Sequence, residues 1–365
     1  MNAVLDVGSY TIKGIGVDQQ TPQRTLVGYA QDGEIFTGNV VVGLNDLLNV
    51  VQPVEKGRIN DWDAMECIYK QYLNDLLRTD PTQTDAVTNK SLIMVDRPFN
   101  GIKSDNVRSL DLIYNVCGDD LDKVMFVNSA LLSLYSVSRT SGIAIEVGHS
   151  CTTIVPVHEN AVMSEACKTL PIGGQHLSKL IQNSHLNSSI GTEECFNILR
   201  SMCHFKLDFV APSPGYMLSY ELPDGQTLFL GEECFLVPEV LFRPNILTSR
   251  ERLLLGIYKD EALDGIVEMV SKVAERYKCA SDDASPVCVL YGGTSLIENT
   301  HTRLLLDLDE SLPGIRLRTE PERDMLPSIG GCIISEFLQN ESSYWVTRKD
   351  FEEYGPHILY RRGVL

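Results

Sequence analysis

One short pattern occurs twice in this chain, and it constrains the fold more than any other feature. Leu5-Asp6-Val7-Gly8-Ser9-Tyr10-Thr11-Ile12-Lys13-Gly14-Ile15-Gly16-Val17 can be laid over Ile145-Glu146-Val147-Gly148-His149-Ser150-Cys151-Thr152-Thr153-Ile154-Val155-Pro156-Val157. Each copy runs from an apolar strand into an acid, Val-Gly and a short polar turn, then into a second β-rich strand. That is the pattern of a β-hairpin with glycine at its turn, where a backbone can approach a ligand closely. Two such hairpins, 140 positions apart, predict two similarly built halves. The 365 residues, 43% of them hydrophobic, supply enough core for about two domains of roughly 150 residues each.

Between and beyond the hairpins, strands alternate with helices. Trp62 to Leu77 reads as a helix opened by Asn60 or Asp61, and Leu92-Ile93-Met94-Val95 as a buried strand. Asn128 to Ser138 and Asp260 to Tyr277 read as further helices, and Ala280 to Pro286 as a polar loop. Val287 to Tyr291 reads as a buried strand that ends in Gly292-Gly293-Thr294-Ser295, where the Thr/Ser pair can cap the next helix. Such glycine-rich strand ends expose N–H groups that suit phosphates, although a lone Gly-Gly-Thr is usually a tight turn. The alternation predicts an α/β layered fold.

Composition excludes several functions. With 31 basic against 49 acidic residues the net charge is -18, which repels nucleic-acid backbones and anionic lipid, so neither direct nucleic-acid binding nor membrane association is expected. No apolar run reaches the length of a membrane span, and the chain opens straight into a strand without a basic leader. The ten cysteines form no Cys-x-x-Cys pair and have no histidine partners at zinc spacing, and the Cys195 to His204 run reads as core packing. Free thiols in a reducing compartment follow.

Several separate segments resemble the actin family. Asp6-Val7-Gly8-Ser9 through Lys13 resembles the family's first phosphate loop, and Gly57 to Glu66 its Trp-Asp-x-Met-Glu stretch. Leu132 to Tyr135 and Arg139 to Ile143 resemble the approach to the second phosphate loop. Tyr220 to Gly225, Pro238-Glu239 with Leu241 to Pro244, Pro321-Glu322-Arg323, Ser328 to Gly331 and Trp345 to Pro356 continue the match in family order. The resemblance covers essentially the whole chain. It implies the two-lobed ATPase fold with four subdomains that actin shares with heat-shock chaperone ATPases and hexokinase. Residues 1–136 with 326–365 would form the first lobe, with a shortened subdomain 2 at 22–55. Residues 137–325 would form the second, with subdomain 4 at 173–256.

The same resemblance implies ATP or ADP with Mg2+. The nucleotide contacts expected from it are Asp6, Gly8, Ser9, Tyr10, Lys13, Glu146, Gly148, His149, Gly174, Gly292, Gly293 and Thr294, with Asp6 and Glu146 reaching the metal through water. His149 reads either as a phosphate contact or as a hydrogen-bonded turn histidine. The empty-cleft alternative leaves these residues as turn chemistry only. Tyr135, Ile329, Ile333 and Phe337 are the expected lining of the family's partner cleft, against the plainer reading of helical core positions.

The chain departs from the family where catalysis is done. Ser129 and Thr153 stand where the resemblance places the glutamine and histidine that position the attacking water, and neither orders or deprotonates water comparably. Leu199-Arg200, Asp324 and Gly174-Gln175-His176 replace the family's Lys-Glu pair, lysine and Gly-Arg-Asp. The stretch from Asp6 to Phe36 is short, removing the loop that grips the next filament subunit. The stretch from Phe242 to Gly292 is longer, with Arg250, Glu251, Arg252 and the loop from Ala280 to Ser285 as candidate additions. The resulting expectation is a non-hydrolysing or slow ATP-binding scaffold in a heteromeric, cytoskeletal, dynactin-like complex, with other actin-family subunits as candidate partners, since Gly33 to Gly38 and Trp345 to Gly355 resemble centractin. The expected location is the cytoplasm, with the nucleus open. Alternatives are a filament-forming actin ATPase and a nuclear subunit of a chromatin-remodelling complex. A sugar kinase is disfavoured because no acidic sugar-site motif is evident.

Overall fold

The two copies of the pattern fold as the same hairpin in the same register. In the first, strands Asn2–Val7 and Thr11–Ile15 pair with Asp6 opposite Lys13; in the second, Gly142–Val147 and Thr152–His158 pair with Glu146 opposite Thr153. The turns match bond for bond: Gly8 N–H donates to Thr11 O at 3.0 Å, and Gly148 N–H donates to Cys151 O at 3.0 Å. The structure, a computed structural model, describes residues 2–16, 21–77, 90–97, 103–185, 190–207, 216–258, 262–280 and 286–362. It divides into two compact units, Met1–Arg139 with Met325–Leu365, and Thr140–Asp324.

Each hairpin nucleates a mixed sheet of one plan. In the first unit the strand order is Val346–Thr347, Lys123–Asn128, Ser91–Asp96, Asn2–Val7, Thr11–Ile15, Gln23–Arg24. In the second, Arg316–Arg318, Val287–Tyr291, Gly142–Val147 and Thr152–His158 repeat the pairings that run from Lys123–Asn128 to Thr11–Ile15, and Ala161–Val162 and Lys168–Leu170 both pair with Thr152–His158 on the far side. The central strands are continuous apolar runs because helices cover both faces. Ala3 and Leu5 sit in one core cluster with Met65, Ile68 and Leu73 of helix Trp62–Leu76 and Leu110 and Ile113 of helix Lys103–Cys117. Val4 points the other way, onto Gly331 of helix Leu326–Phe337. The period-two alternation thus serves two cores rather than a core and a wet face.

Helix Leu326–Phe337 packs on helix Ser129–Ser136 through backbone contact. A Cβ placed on Gly330 would lie 1.9 Å from Leu132 O. Helix Trp62–Leu76 starts as its sequence predicts, with Asp61 as N-cap accepting the Ala64 N–H at 2.9 Å. Two sequence expectations are corrected. The helix anticipated from Asp260 begins at Ile266, and residues 262–265 before it belong to no helix or strand. Thr294 and Ser295 do not cap the following helix: they lie in a short 3-10 turn, Gly293–Leu296, and bond back to Gly148 O and Gly292 O. The loop residues 281–285, and Asp208 and Phe209, lie outside the described residues.

Residues 22–55, expected from the sequence as a shortened subdomain 2, include a three-stranded sheet, Ile35–Thr37, Val27–Tyr29 and Asn49–Val51. Ala30 to Glu34 joins its first two strands as a tight turn, with Ala30 N–H donating to Glu34 O at 2.9 Å and Gly33 at a positive φ of 90°. Among the described residues no helix is long and apolar enough to cross a membrane, and all ten cysteines are free.

Candidate functional site

The first hairpin turn is held from three sides. Gly8 O accepts the Thr25 hydroxyl at 2.7 Å, Ser9 O accepts from the Gln52 amide, and Arg24 lies over the Tyr10 ring, 3.6 Å from its centroid. A Cβ on Gly8 would sit 3.0 Å from Thr11 O, so only glycine fits without displacement. Asp6 and Lys13 are both buried, at the end of the hairpin ladder where cross-strand pairing places them opposite one another. The sequence reading missed the group that touches Asp6: Arg97 Nη2 lies 2.6 Å from Asp6 Oδ1. Arg97 follows strand Ser91–Asp96, and the parallel pairing of Asp6 with Val95 brings it there. Its N–H donates to Asp96 Oδ1 at 2.9 Å, and Asp96 Oδ2 is held by the Asn106 amide at 2.9 Å.

In the second unit, one carbonyl organises the turn. Gly148 O accepts both the Gly174 N–H at 3.1 Å and the Thr294 hydroxyl at 2.8 Å, while His149 O accepts the Gln175 N–H at 2.8 Å. Glu146, Gly148, His149, Gly174, Gly292 and Thr294 are thereby brought together by three chain segments. Their small size is a packing requirement: a Cβ on Gly174 would meet Thr294 Oγ1 at 2.6 Å, and one on Gly292, whose φ is 101°, would meet Val147 O at 2.6 Å. Gly293 has nothing within 4 Å of its Cβ position and so presents open backbone. The His149 ring stands edge-on to Phe196 at 5.4 Å. His176, in place of the family's acid, turns inward and accepts the Gly173 N–H through Nδ1 at 3.1 Å. Leu199 is buried and Arg200 exposed on helix Thr192–Ser201.

Ser129 and Thr153 are both buried, the former in the first turn of helix Ser129–Ser136 behind the Asn128 cap. The Thr153 hydroxyl is 3.5 Å from Glu146 Oε2, and the Tyr291 hydroxyl is 3.2 Å from the same oxygen. Tyr135 lies half-buried on that helix, and burial, followed by the nearby Tyr344, pushes its hydroxyl pKa up to about 12. Ile329 and Ile333 are half-buried and Phe337 is 78% exposed, one stripe at helical spacing along Leu326–Phe337.

Two repeated hairpins with glycine turns, each at the head of a mixed sheet, define a class of α/β proteins built from two similar halves, and the comparisons narrow it. The actin family model matches residues 1–201 and 192–364. The chain is 30% identical to actin-like protein 9 of Bos taurus over 98% of its own length and 87% of that protein's, and 28% identical to actin-like protein 9 of Homo sapiens with the same coverage. It is 26% identical to actin-like protein 7A of Mus musculus over 90% of its own length and 72% of that protein's. The chain belongs to the actin family, as an actin-related protein with actin-like proteins among its relatives. Members of that family generally bind ATP or ADP with Mg2+.

The residues present fit the two halves of that ligand differently. The glycine cradles suit a phosphate, and the Ser150 hydroxyl in the second turn is buried without a hydrogen-bond partner among the described residues, a polar atom that a ligand would satisfy. A hydrated Mg2+ needs carboxylate oxygens turned toward it. The Asp6 side chain is only 4% exposed and ion-paired, Glu146 is engaged by two hydroxyls, and no group of three His, Cys, Asp and Glu among the described residues is placed to hold a metal. The donor set does not fit the metal.

Proposed function

We propose that this actin-related protein binds ATP or ADP as a structural cofactor and hydrolyses it slowly or not at all. The observation that carries the reading is the pair of buried hydroxyl residues, Ser129 and Thr153, at the family's water-positioning positions. A hydroxyl sequestered in a helix turn, or aimed at a carboxylate, has neither the reach nor the basicity to orient an attacking water. Lys13 in the first hairpin and His149 in the second are the proposed phosphate contacts of their respective hairpins. Phosphate release by the purified protein is the test: a rate far below that of conventional actin is expected, and a conventional rate would remove the reading.

Actin-related proteins generally act in multiprotein complexes, and the proposed role here is that of a scaffold subunit in a cytoskeletal, dynactin-like assembly in the cytoplasm. The short turn Ala30 to Glu34, where the resemblance implies the subunit-gripping loop, favours a cap or fixed-position subunit over a growing filament. The stripe Ile329, Ile333, Phe337, with Tyr135, is the proposed partner contact, and polar substitutions at Ile333 and Phe337 are expected to release at least one partner.

A further inference from the structure

Two buried thiols meet just beyond the end of helix Thr192–Ser201. Cys203 is 2% exposed and Cys234 fully buried, and both are free. Backbone bonds hold them side by side. The His204 N–H, in the peptide that follows Cys203, donates to Cys234 O at 3.0 Å, and the Phe205 N–H donates to Glu298 O at 3.0 Å. Cys234 is tied in turn through its own N–H to Gly231 O at 3.3 Å, at the start of helix Glu233–Glu239. The neighbouring rings of His204 and Phe235 pack at 6.3 Å, and the Cys203 thiol donates a hydrogen bond to the Cys234 sulfur. All of these residues belong to the second unit.

That contact makes the two thiols chemically unlike. Donation from Cys203 holds the Cys234 thiol below its ordinary value, although burial works against it, and the same bond together with burial pushes Cys203 up. By contrast Cys117, Cys195 and Cys288 are pushed up to about 12, 11 and 12, and for each of them burial is the main cause. The pair thus divides the work of an oxidisable dithiol, with one sulfur of thiolate character to attack and a protonated one beside it to resolve. No third His, Cys, Asp or Glu completes a metal-holding group with it among the described residues. Sulfur oxidation rather than zinc ligation is therefore the chemistry the pair offers.

We propose that Cys203 and Cys234 form a site of reversible oxidation, which hydrogen peroxide closes into a disulfide. The Cys234 thiolate attacks one peroxide oxygen and the O–O bond breaks. Cys234 becomes a sulfenic acid, and the departing hydroxide takes up the proton that Cys234 gave up. The Cys203 sulfur then attacks the Cys234 sulfur, the S–O bond breaks, and hydroxide leaves as water with the Cys203 proton. The two thiols lose two electrons and the peroxide is reduced to two waters. The new bond closes residues 204–233, with the hairpin Leu218–Glu221 and Thr227–Leu230, into a loop of about 30 residues fastened to the end of helix Thr192–Ser201. This chemistry is independent of nucleotide binding.

The test is peroxide treatment of the full-length, reduced Cys279→Ser protein, in which the exposed thiol is removed, followed by alkylation in denaturant and peptide mapping without reductant. The peptide holding Cys203 should be joined to the one holding Cys234, and dithiothreitol should separate them. Calorimetry should show the second unit melting about 5–10 °C higher in the oxidised form, because the native positions already suit the bond while the unfolded chain is constrained by it. Cys203→Ala should leave a Cys234 sulfenic acid that dimedone traps, and Cys234→Ala should leave Cys203 without an adduct. Full alkylation of both cysteines after peroxide, or either one joined to a different cysteine, overturns the proposal, as does a bond that lowers the melting temperature. A dimedone adduct on Cys203 but not on Cys234 overturns the assignment of the attacking sulfur. Should either alanine variant fail to fold, mapping of the Cys279→Ser protein still decides whether the pair closes.

Discussion

Gly330→Ala puts the packing of the first unit to a quantitative test. The substituted Cβ would lie 1.9 Å from Leu132 O and 2.6 Å from its carbonyl carbon, against an ordinary contact beginning near 3.4 Å. The obstacle is the backbone of helix Ser129–Ser136, which cannot swing aside like a flexible side chain, so helix Leu326–Phe337 must move by about 1.5 Å or bend. Overpacking of this kind costs about 3 kcal/mol at the upper end of its range, and alanine's better helix propensity returns about 1 kcal/mol. A net loss of about 2 kcal/mol follows. Both tryptophans, Trp62 and Trp345, lie in this unit, so tryptophan fluorescence during urea unfolding reports on it directly. With an m-value of about 2 kcal/mol/M, the midpoint should fall by about 1 M. Gly43→Ala, at the end of helix Asn39–Gly43 with nothing within 4 Å of the new atom, is the control and should leave the midpoint in place. A Gly330→Ala midpoint equal to wild type would refute the close helix crossing, and with it the geometry that positions Ile329 and Ile333.

Other consequences are as direct. Glu239 accepts both Arg303 Nη atoms, at 3.0 and 3.1 Å, and both side chains are buried, while Asp307 holds Nε from the other side; Glu239→Ala should cost about 3 kcal/mol by removing the buried carboxylate that balances the two Nη groups, seen as a melting temperature lower by roughly 10 °C in circular dichroism. Burial works to raise the Asp350 pKa, but hydrogen bonds from Thr347 and the charges of Arg362 and Lys349 prevail and hold it below its ordinary 3.8. Because the folded-state pKa is depressed, this stabilisation is present above the unfolded value and lost as pH falls through the folded one; the melting-temperature gap between wild type and Asp350→Asn should be full at ~pH 6 and close by ~pH 2. Cys279 is the one exposed thiol, while burial pushes Cys117 and Cys288 up to about 12; a thiol reagent should show one fast equivalent, abolished by Cys279→Ser.

The hairpins were legible in the sequence because everything that defines them is local. A glycine turn, an alternating frame and an acid at fixed spacing specify the register from Asp6 to Lys13 and from Glu146 to Thr153 without help from the rest of the chain. The α/β class followed from the same periodicities. What escaped the sequence depends on pairing across long separations. Arg97 reaches Asp6 only because strand Ser91–Asp96 lies parallel to Asn2–Val7, which nothing near Arg97 announces. The inward turn of His176 onto Gly173, and the return of Thr294 to Gly148 rather than to a helix cap, are likewise tertiary choices among several bonds those side chains can make. The helix starts at Ile266 although Asp264 and Gly265 follow the acidic pair Asp260-Glu261, a composition that resembles a first helical turn.

The central claim is that this actin-related protein works as a fixed subunit of a larger assembly. Native purification of the tagged full-length chain from its own cells, with size and co-purifying subunits quantified, tests it most directly. The account predicts a large particle containing this chain at constant stoichiometry with unlike partners. A lone monomer, or a homopolymer that grows with concentration, would contradict it.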